Sequence, residues 1–200
     1  MPPMPSFPNG RVTEAVAFDR TGLDYLGLLY IKISREYRNV WVCLFTCLET
    51  RTVHLKTVHD MSTEEFLLAL RRFTGITNRN SDNAKQFKLA SDTIHLIWKN
   101  TIKSDDVQTY ESTHGIKWKC IDERAPWYGG YWERLVGLVK RSLRKSPGRK
   151  SLTYIQLHTV IKEIERAIAS RLLLYVDDDV NSNNTLTPGH FLTLNPVGHT

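Results

Sequence analysis

The segment Val40 to Leu48, VWVCLFTCL, does most to limit what this chain can become. It is far shorter than the roughly 18 apolar residues of a membrane span, and too continuous for a strand with one wet face, so it reads as a buried strand. On either side lie Leu23 to Ile33 (LDYLGLLYIKI), another strand, and Thr50 to Val58 (TRTVHLKTV), an alternating one. Three strands in direct succession predict a meander.

Helical patterns follow. Ser62 to Glu65 (STEE) forms a capping box ahead of FLLALRRF, in which Phe66, Leu67, Leu70 and Phe73 keep three- and four-residue spacing. Ser91 to Lys99 reads as a short helix and Gly115 to Ile121 (GIKWKCI) as a further strand. After Gly129-Gly130, Trp132, Leu135, Val136, Val139 and Leu143 make one apolar stripe of a long helix. A last helix opens at a second box, Thr153 to Gln156, with Leu157, Val160, Ile161, Ile164 and Ile168 on one face. The order predicts an α/β domain, and 200 residues suit one core.

The formal charge of +6 favours a polyanionic partner. The expectation is a soluble intracellular protein without a membrane segment, because the Pro-rich start MPPMPSFPNG has no signal-peptide core. Cys43, Cys47 and Cys120 make no even disulfide framework and read as small core residues. A zinc site from Cys43, Cys47, His54 and His59 is disfavoured, since the pairs are too close for a finger and the cysteines sit in an apolar strand. Asp177 to Asn184 (DDDVNSNN) reads as a solvated loop.

Charge is least evenly spread in Ala125 to Lys145, APWYGGYWERLVGLVKRSLRK. Between Arg124 and Lys150 the only acid is Glu133, amid Arg134, Lys140, Arg141, Arg144, Lys145 and others. At roughly 100° per residue, Glu133, Gly137, Lys140 and Arg144 share a face beside the apolar stripe. Two readings stay open: a carboxylate kept for metal on a phosphate-binding surface, or an N-terminal charge favoured by the helix dipole with a solvated basic tail. Trp127, Tyr128 and Tyr131 read as packing at the helix entrance rather than base-stacking residues.

A two-metal phosphoryl-transfer site needs carboxylates from separate segments. Asp24 stands out because it interrupts strand hydrophobics, and Asp82 because it sits in the polar NSDN segment. Asp60, Asp19 and Asp92 are explained as turn or surface residues.

Taken in order, TGLDYLGLL, VWVCLFTCLETRTVHLKTVHDMSTEEFLLALRRF, NSDNAKQF, RAPWYGGYWERLVGLVKRSLRK, LTYIQLHTVIKEIERAIASR and LTPGHF resemble the integrase catalytic core of retrotransposons, most closely the Pao/BEL group. The resemblance implies a ribonuclease H-like fold: a five-stranded mixed sheet flanked by helices. It divides the chain into a linker-like lead (1–10), the core (11–175) and an extension with LTPGHF (176–200). By motif position Asp24, Asp82 and Glu133 match the DDE triad, which implies two Mg²⁺ or Mn²⁺ ions, 3′-end processing and strand transfer of DNA. Lys140 matches a basic position that contacts element DNA, and Arg144, Arg141 and Arg134 extend that surface. Asn83 would help order the site, and Gly129 and Gly130 would let the backbone approach DNA. Implied too are a homodimer or higher oligomer and action in the nucleus.

The sequence also departs from the family. TGITNRNS, before Asp82, is short and lacks most of the β-branched apolar residues of the strand expected there, which leaves two outcomes, a strand that delivers Asp82 or one that is missing or out of register. Ala84 stands where the family has Gly, and Leu172 where it has Pro. The chain starts in what resembles the linker after a zinc module, and no C-terminal DNA-binding module follows, as in a truncated or decayed element. The alternative to an enzyme is therefore an inactive remnant or a DNA-binding or interaction domain.

Overall fold

The structure, a computed structural model, describes residues 16–33, 35–77, 86–89, 104–120, 130–145, 152–175 and 185–193. Strands β1 (Arg20–Ile33), β2 (Glu36–Cys47) and β3 (Val53–Val58) form the expected antiparallel meander. Helix α1 (Thr63–Thr77) leads to β4 (Gln86–Leu89), and α2 (Asp105–His114) leads to β5 (Lys117–Cys120). Both short strands run parallel to β1, which gives a mixed sheet ordered β3-β2-β1-β4-β5. Helix α3 (Gly130–Lys145) comes next, then β6 (Leu152–Thr153), which pairs with β1, and α4 (Tyr154–Ala169). Beyond them β7 (Leu174–Tyr175) pairs with β8 (Thr185–Leu186), and LTPGHF turns into α5 (His190–Thr193).

The continuous apolar pattern of β2 has the cause the sequence implies, because helices cover both faces of the sheet. Leu23, Tyr25, Cys43 and Phe45 pack with Phe66, Leu70 and Phe73 of α1 and Val107 of α2. On the other face Leu26, Val42, Leu44 and Leu55 pack with Leu135, Val136 and Val139 of α3 and with Leu157, Ile161, Ile164 and Ile168 of α4. Phe45 and Phe73 stack with ring centroids 4.1 Å apart, and Phe18 meets Phe73 edge-on at 5.3 Å. Between Leu26 and Leu29 the β1/β2 register shifts, and a Cβ on Gly27 would fall 1.6 Å from the Trp41 ring. Only glycine lets that indole lie against the strand.

The two caps differ. Thr153 forms the full box with Gln156, each side chain bonded to the other's backbone N–H. At α1 the Ser62 hydroxyl accepts from Glu65 N–H, but the Glu65 carboxylate reaches past the box to His59 N–H, while Asp60 accepts from Ser62 N–H. The helix also runs on through Thr74, Gly75, Ile76 and Thr77. The start of TGITNRNS is thus helix, not strand.

Candidate active site

Asp24 lies inside β1, is only 9% exposed, and stands directly across from Leu44. Side chains two apart on a strand share a face, so Asp24 goes with Leu26. Leu26 and Leu44 belong to the cluster packed under α3 and α4, which puts the Asp24 carboxylate on that side of the sheet. Its Oδ1 accepts from Tyr25 N–H at 2.8 Å. On the opposite face Tyr25 and Cys43 are cross-strand partners joined by a side-chain hydrogen bond. Burial raises the pKa of both, and nearby Asp24 adds to the Cys43 shift, so both remain neutral.

Helix α3 supplies the other half of the candidate site. Leu135, Val136 and Val139 are buried as the spacing predicts. That anchors the helix phase: the positions of Glu133, Gly137, Lys140 and Arg144 fall roughly 90–150° to one side of the buried stripe, and those of Arg134 and Arg141 roughly 150–170° to the other. Lys140, Arg144, Arg134 and Arg141 are all exposed. A Cβ added to Gly137 would meet nothing within 4 Å, so there is room on this flank at that position. The four basic residues therefore divide into a pair beside the Glu133 position and a pair on the outer face.

Glu133 and Gly130 are described through their place in α3, Gly130 being its first residue. Asp82, Asn83 and Gly129 lie outside the described residues, as do Ser91 to Lys99 and Asp177 to Asn184. The strand beside β1 is β4, which begins four positions after Asp82, and its register pairs Arg20 with Gln86 and Leu23 with Leu89. The described neighbour of β1 on this side is therefore QFKL, which follows Asp82 in the chain. Among the described residues no group of three or more His, Cys, Asp or Glu is arranged to hold a metal. As a donor type, the Asp24 carboxylate suits the hard cations Mg²⁺ and Mn²⁺.

Two features besides the short strands β4, β6, β7 and β8 escaped the sequence reading. Helix α2 was signalled by Ser104 at its N-cap, Asp105 and Asp106 in its first turn and Gly115 at its C-cap with φ 61°, although its single buried residue, Val107, leaves almost no apolar period. The other is a polar junction between β3 and α4. Glu165 accepts from Leu55 N–H and Lys162 Nζ, and lies 3.2 Å from His54 Nδ1. Burial, helped by Lys56 and Lys162, lowers the His54 pKa to about 3. His54 is thus a neutral imidazole donating to Glu165. Its Nε2 is buried without a hydrogen-bond partner.

No family model matches the sequence, and no curated protein does. Solved structures do. A chain of the simian T-cell lymphotropic virus intasome in complex with PP2A regulatory subunit B56 gamma superposes with a TM-score of 0.63 at 11% identity, over 92% of this chain and 57% of that one. The HTLV-2 integrase catalytic core domain in complex with magnesium matches in its dimeric form with a TM-score of 0.58, and in its trimeric form with 0.57. Both are 11% identical, over 88% of this chain and 97% of theirs. At that identity the likeness is one of fold: this chain has the ribonuclease H-like architecture of integrase catalytic cores, a five-strand mixed sheet between helices. It spans 57% of the length of the intasome chain.

Proposed function

We propose that this chain is the catalytic core of a DNA integrase of Pao/BEL retrotransposon type, with Asp24, Asp82 and Glu133 as its metal-binding triad. The observation that carries the reading is the face of Asp24. A nearly buried carboxylate in the first strand lies on the side of the sheet covered by α3, the helix that bears Glu133 and Lys140. Strand carboxylates are disfavoured by propensity, and a chemical role offsets that cost. The fold match to integrase cores supports it independently.

On this reading Asp24 and Glu133 bind Mg²⁺ or Mn²⁺ from two elements, with Asp82 completing the set. When bound, the two ions stabilise the attacking and leaving oxygens of an in-line phosphoryl transfer. Lys140 and Arg144 hold DNA phosphates along the open flank at Gly137, while Arg141 and Arg134 extend the positive field around the helix. Asn83, Gly129 and Gly130 support the site. The core covers 11–175, after a linker-like lead at 1–10 and before an extension at 176–200. The HTLV-2 cores occur as a dimer and a trimer, and the simian virus chain comes from an intasome. This chain is expected to assemble likewise on element and target DNA in the nucleus. No helix among the described residues is long and apolar enough to cross a membrane.

The test is metal-dependent nicking or disintegration of a branched DNA substrate, expected for the wild type and abolished in Asp24→Asn and Glu133→Gln. Activity retained in both variants would sink the assignment. One observation favours a second reading, an inactive remnant that still binds DNA: Thr74 to Thr77 are helical, and the described short strand beside β1 begins after Asp82. DNA binding without nicking in any divalent metal would select it.

A further inference from the structure

Beyond Trp41 and Val58, the last pair of β2 with β3, strands β1 and β2 run on together as a ribbon whose final pair is Ile33 with Glu36. One face of the ribbon belongs to the core. Leu29, Ile31 and Val40 join the cluster under α3 and α4, and β6 runs beside Ile31 and Lys32. The alternate positions, Tyr30, Lys32, Tyr37 and Asn39, make the other face. That face continues the one on which Cys43 and Trp41 join the aromatic core, yet all four of its residues are exposed.

Two large rings therefore stand in water side by side, Tyr30 at 61% exposure and Tyr37 at 64%. Lys32 is the direct cross-strand partner of Tyr37, and Asn39 that of Tyr30, so the two tyrosines are diagonal neighbours. Diagonal positions lie roughly 7–8 Å apart. A strand within a duplex advances only about 3.4 Å per nucleotide, so successive bases reach both rings only on an extended, unpaired strand. Every base has a π-face, which makes exposed aromatics on a sheet a platform for single strands of any sequence.

The charges around the rings fit the same ligand. Lys32, Arg35 and Arg38 are exposed, and Glu36 is the only acid from Leu29 to Val40. It lies 4.0 Å from Arg38 with both side chains largely in water, a contact that neutralises little. The cation excess, on a chain of formal charge +6, selects a polyanion over a protein partner.

We propose that the outer face of this ribbon binds single-stranded nucleic acid, with successive bases stacked on Tyr30 and Tyr37 and the phosphates held by Lys32, Arg35 and Arg38. The surface shares no residue with the carboxylate triad or with α3, so it serves an active transferase and an inactive chain alike.

The experiment measures fluorescence anisotropy of a labelled oligothymidine, and of a labelled duplex of equal length, on the whole chain. Tyr30→Ala and Tyr37→Ala are each expected to weaken oligothymidine binding at least about fivefold, the lower end for one base–aromatic stack, and to leave duplex binding unchanged. Tyr30→Phe and Tyr37→Phe, which keep the rings, are expected to bind as the wild type does. Lys32→Ala with Arg38→Ala should flatten the salt dependence for oligothymidine by about 0.7 units of slope per lost phosphate contact. The loss caused by Tyr37→Ala should persist in a Lys140→Ala, Arg144→Ala background, which separates this surface from α3. Melting temperatures are expected to stay constant, because both rings are exposed. The proposal is overturned if the alanine variants bind oligothymidine like the wild type, if the phenylalanine variants lose as much as the alanine ones, or if both DNAs weaken together. Self-association lost in the alanine variants with oligothymidine binding intact overturns it too, and assigns the face to a second copy.

Discussion

The two faces of the sheet are packed by different means. Under α1 and α2 the core is aromatic, with Phe18 and Phe45 both against the Phe73 ring and Phe66 in the same cluster. Under α3 and α4 it is aliphatic, built from Leu, Ile and Val, and it borders Asp24. Stacked rings bury large area in fixed geometry. Branched aliphatic side chains fill space without dictating what lies beside them, so this face can accept a carboxylate at its margin. The difference separates a side packed by rings from the side to which the proposed chemistry is assigned.

The sharpest way to break that separation is to damage the aromatic side. Phe73→Ala removes a fully buried ring stacked on Phe45 and is expected to cost about 3–5 kcal/mol, read by urea or thermal unfolding. Asp24→Asn, by contrast, is expected to abolish nicking with little loss of stability. A large stability loss in Asp24→Asn would erase the distinction.

His54 tests the junction where the two sides meet at β3. Its folded pKa, about 3, lies below the ordinary 6.5, so the native state binds fewer protons than the unfolded chain between those values. Stability is therefore full above about pH 6.5, falls as pH drops, and stops falling on this account below about pH 3. The limiting slope is about 1.4 kcal/mol per pH unit. His54→Gln is expected to flatten the decline in denaturation curves taken across this window. An unchanged slope would mean that other groups set it.

Two glycines sharpen the comparison further. Gly27→Ala drives a Cβ into the Trp41 ring and is expected to cost about 1–3 kcal/mol, whereas Gly137→Ala meets open space and is expected to gain up to about 1 kcal/mol through helix propensity. Melting temperatures should move in opposite directions. The smallest stability effect, within about 0.5 kcal/mol, is expected for Lys140→Ala with Arg144→Ala, because both are exposed. Their signature is the salt dependence of DNA binding, which should flatten by about one unit of slope per lost phosphate contact. No flattening would return both residues to solvated surface.

Much of this was legible in the residues. The meander was written into VWVCLFTCL and the alternating TRTVHLKTV, and both long helices into stripes that the structure buries at Leu135, Val139, Leu157 and Ile161. The Thr153 box formed as expected, whereas the Ser62 box was only half formed, because Glu65 found a closer demand at His59 N–H. Asp24 was conspicuous because a strand interior has little use for a carboxylate. Helix α2 was overlooked for want of apolar period, and β4 because four residues carry no measurable alternation.

The sequence by itself determined the elements whose pattern is local: three strands, the capped helices, and a basic helix with one acid near its start. Tertiary structure decided which residues complete the sheet and which face each parity meets. TGIT continued α1, and QFKL took a place beside β1. Such choices rest on contacts distant in sequence, where a short segment gains its hydrogen bonds only from a strand already in place. For the same reason Asp24 acquires a side only when α3 and α4 pack over Leu26 and Leu44, and that side is the one the basic helix helps to cover.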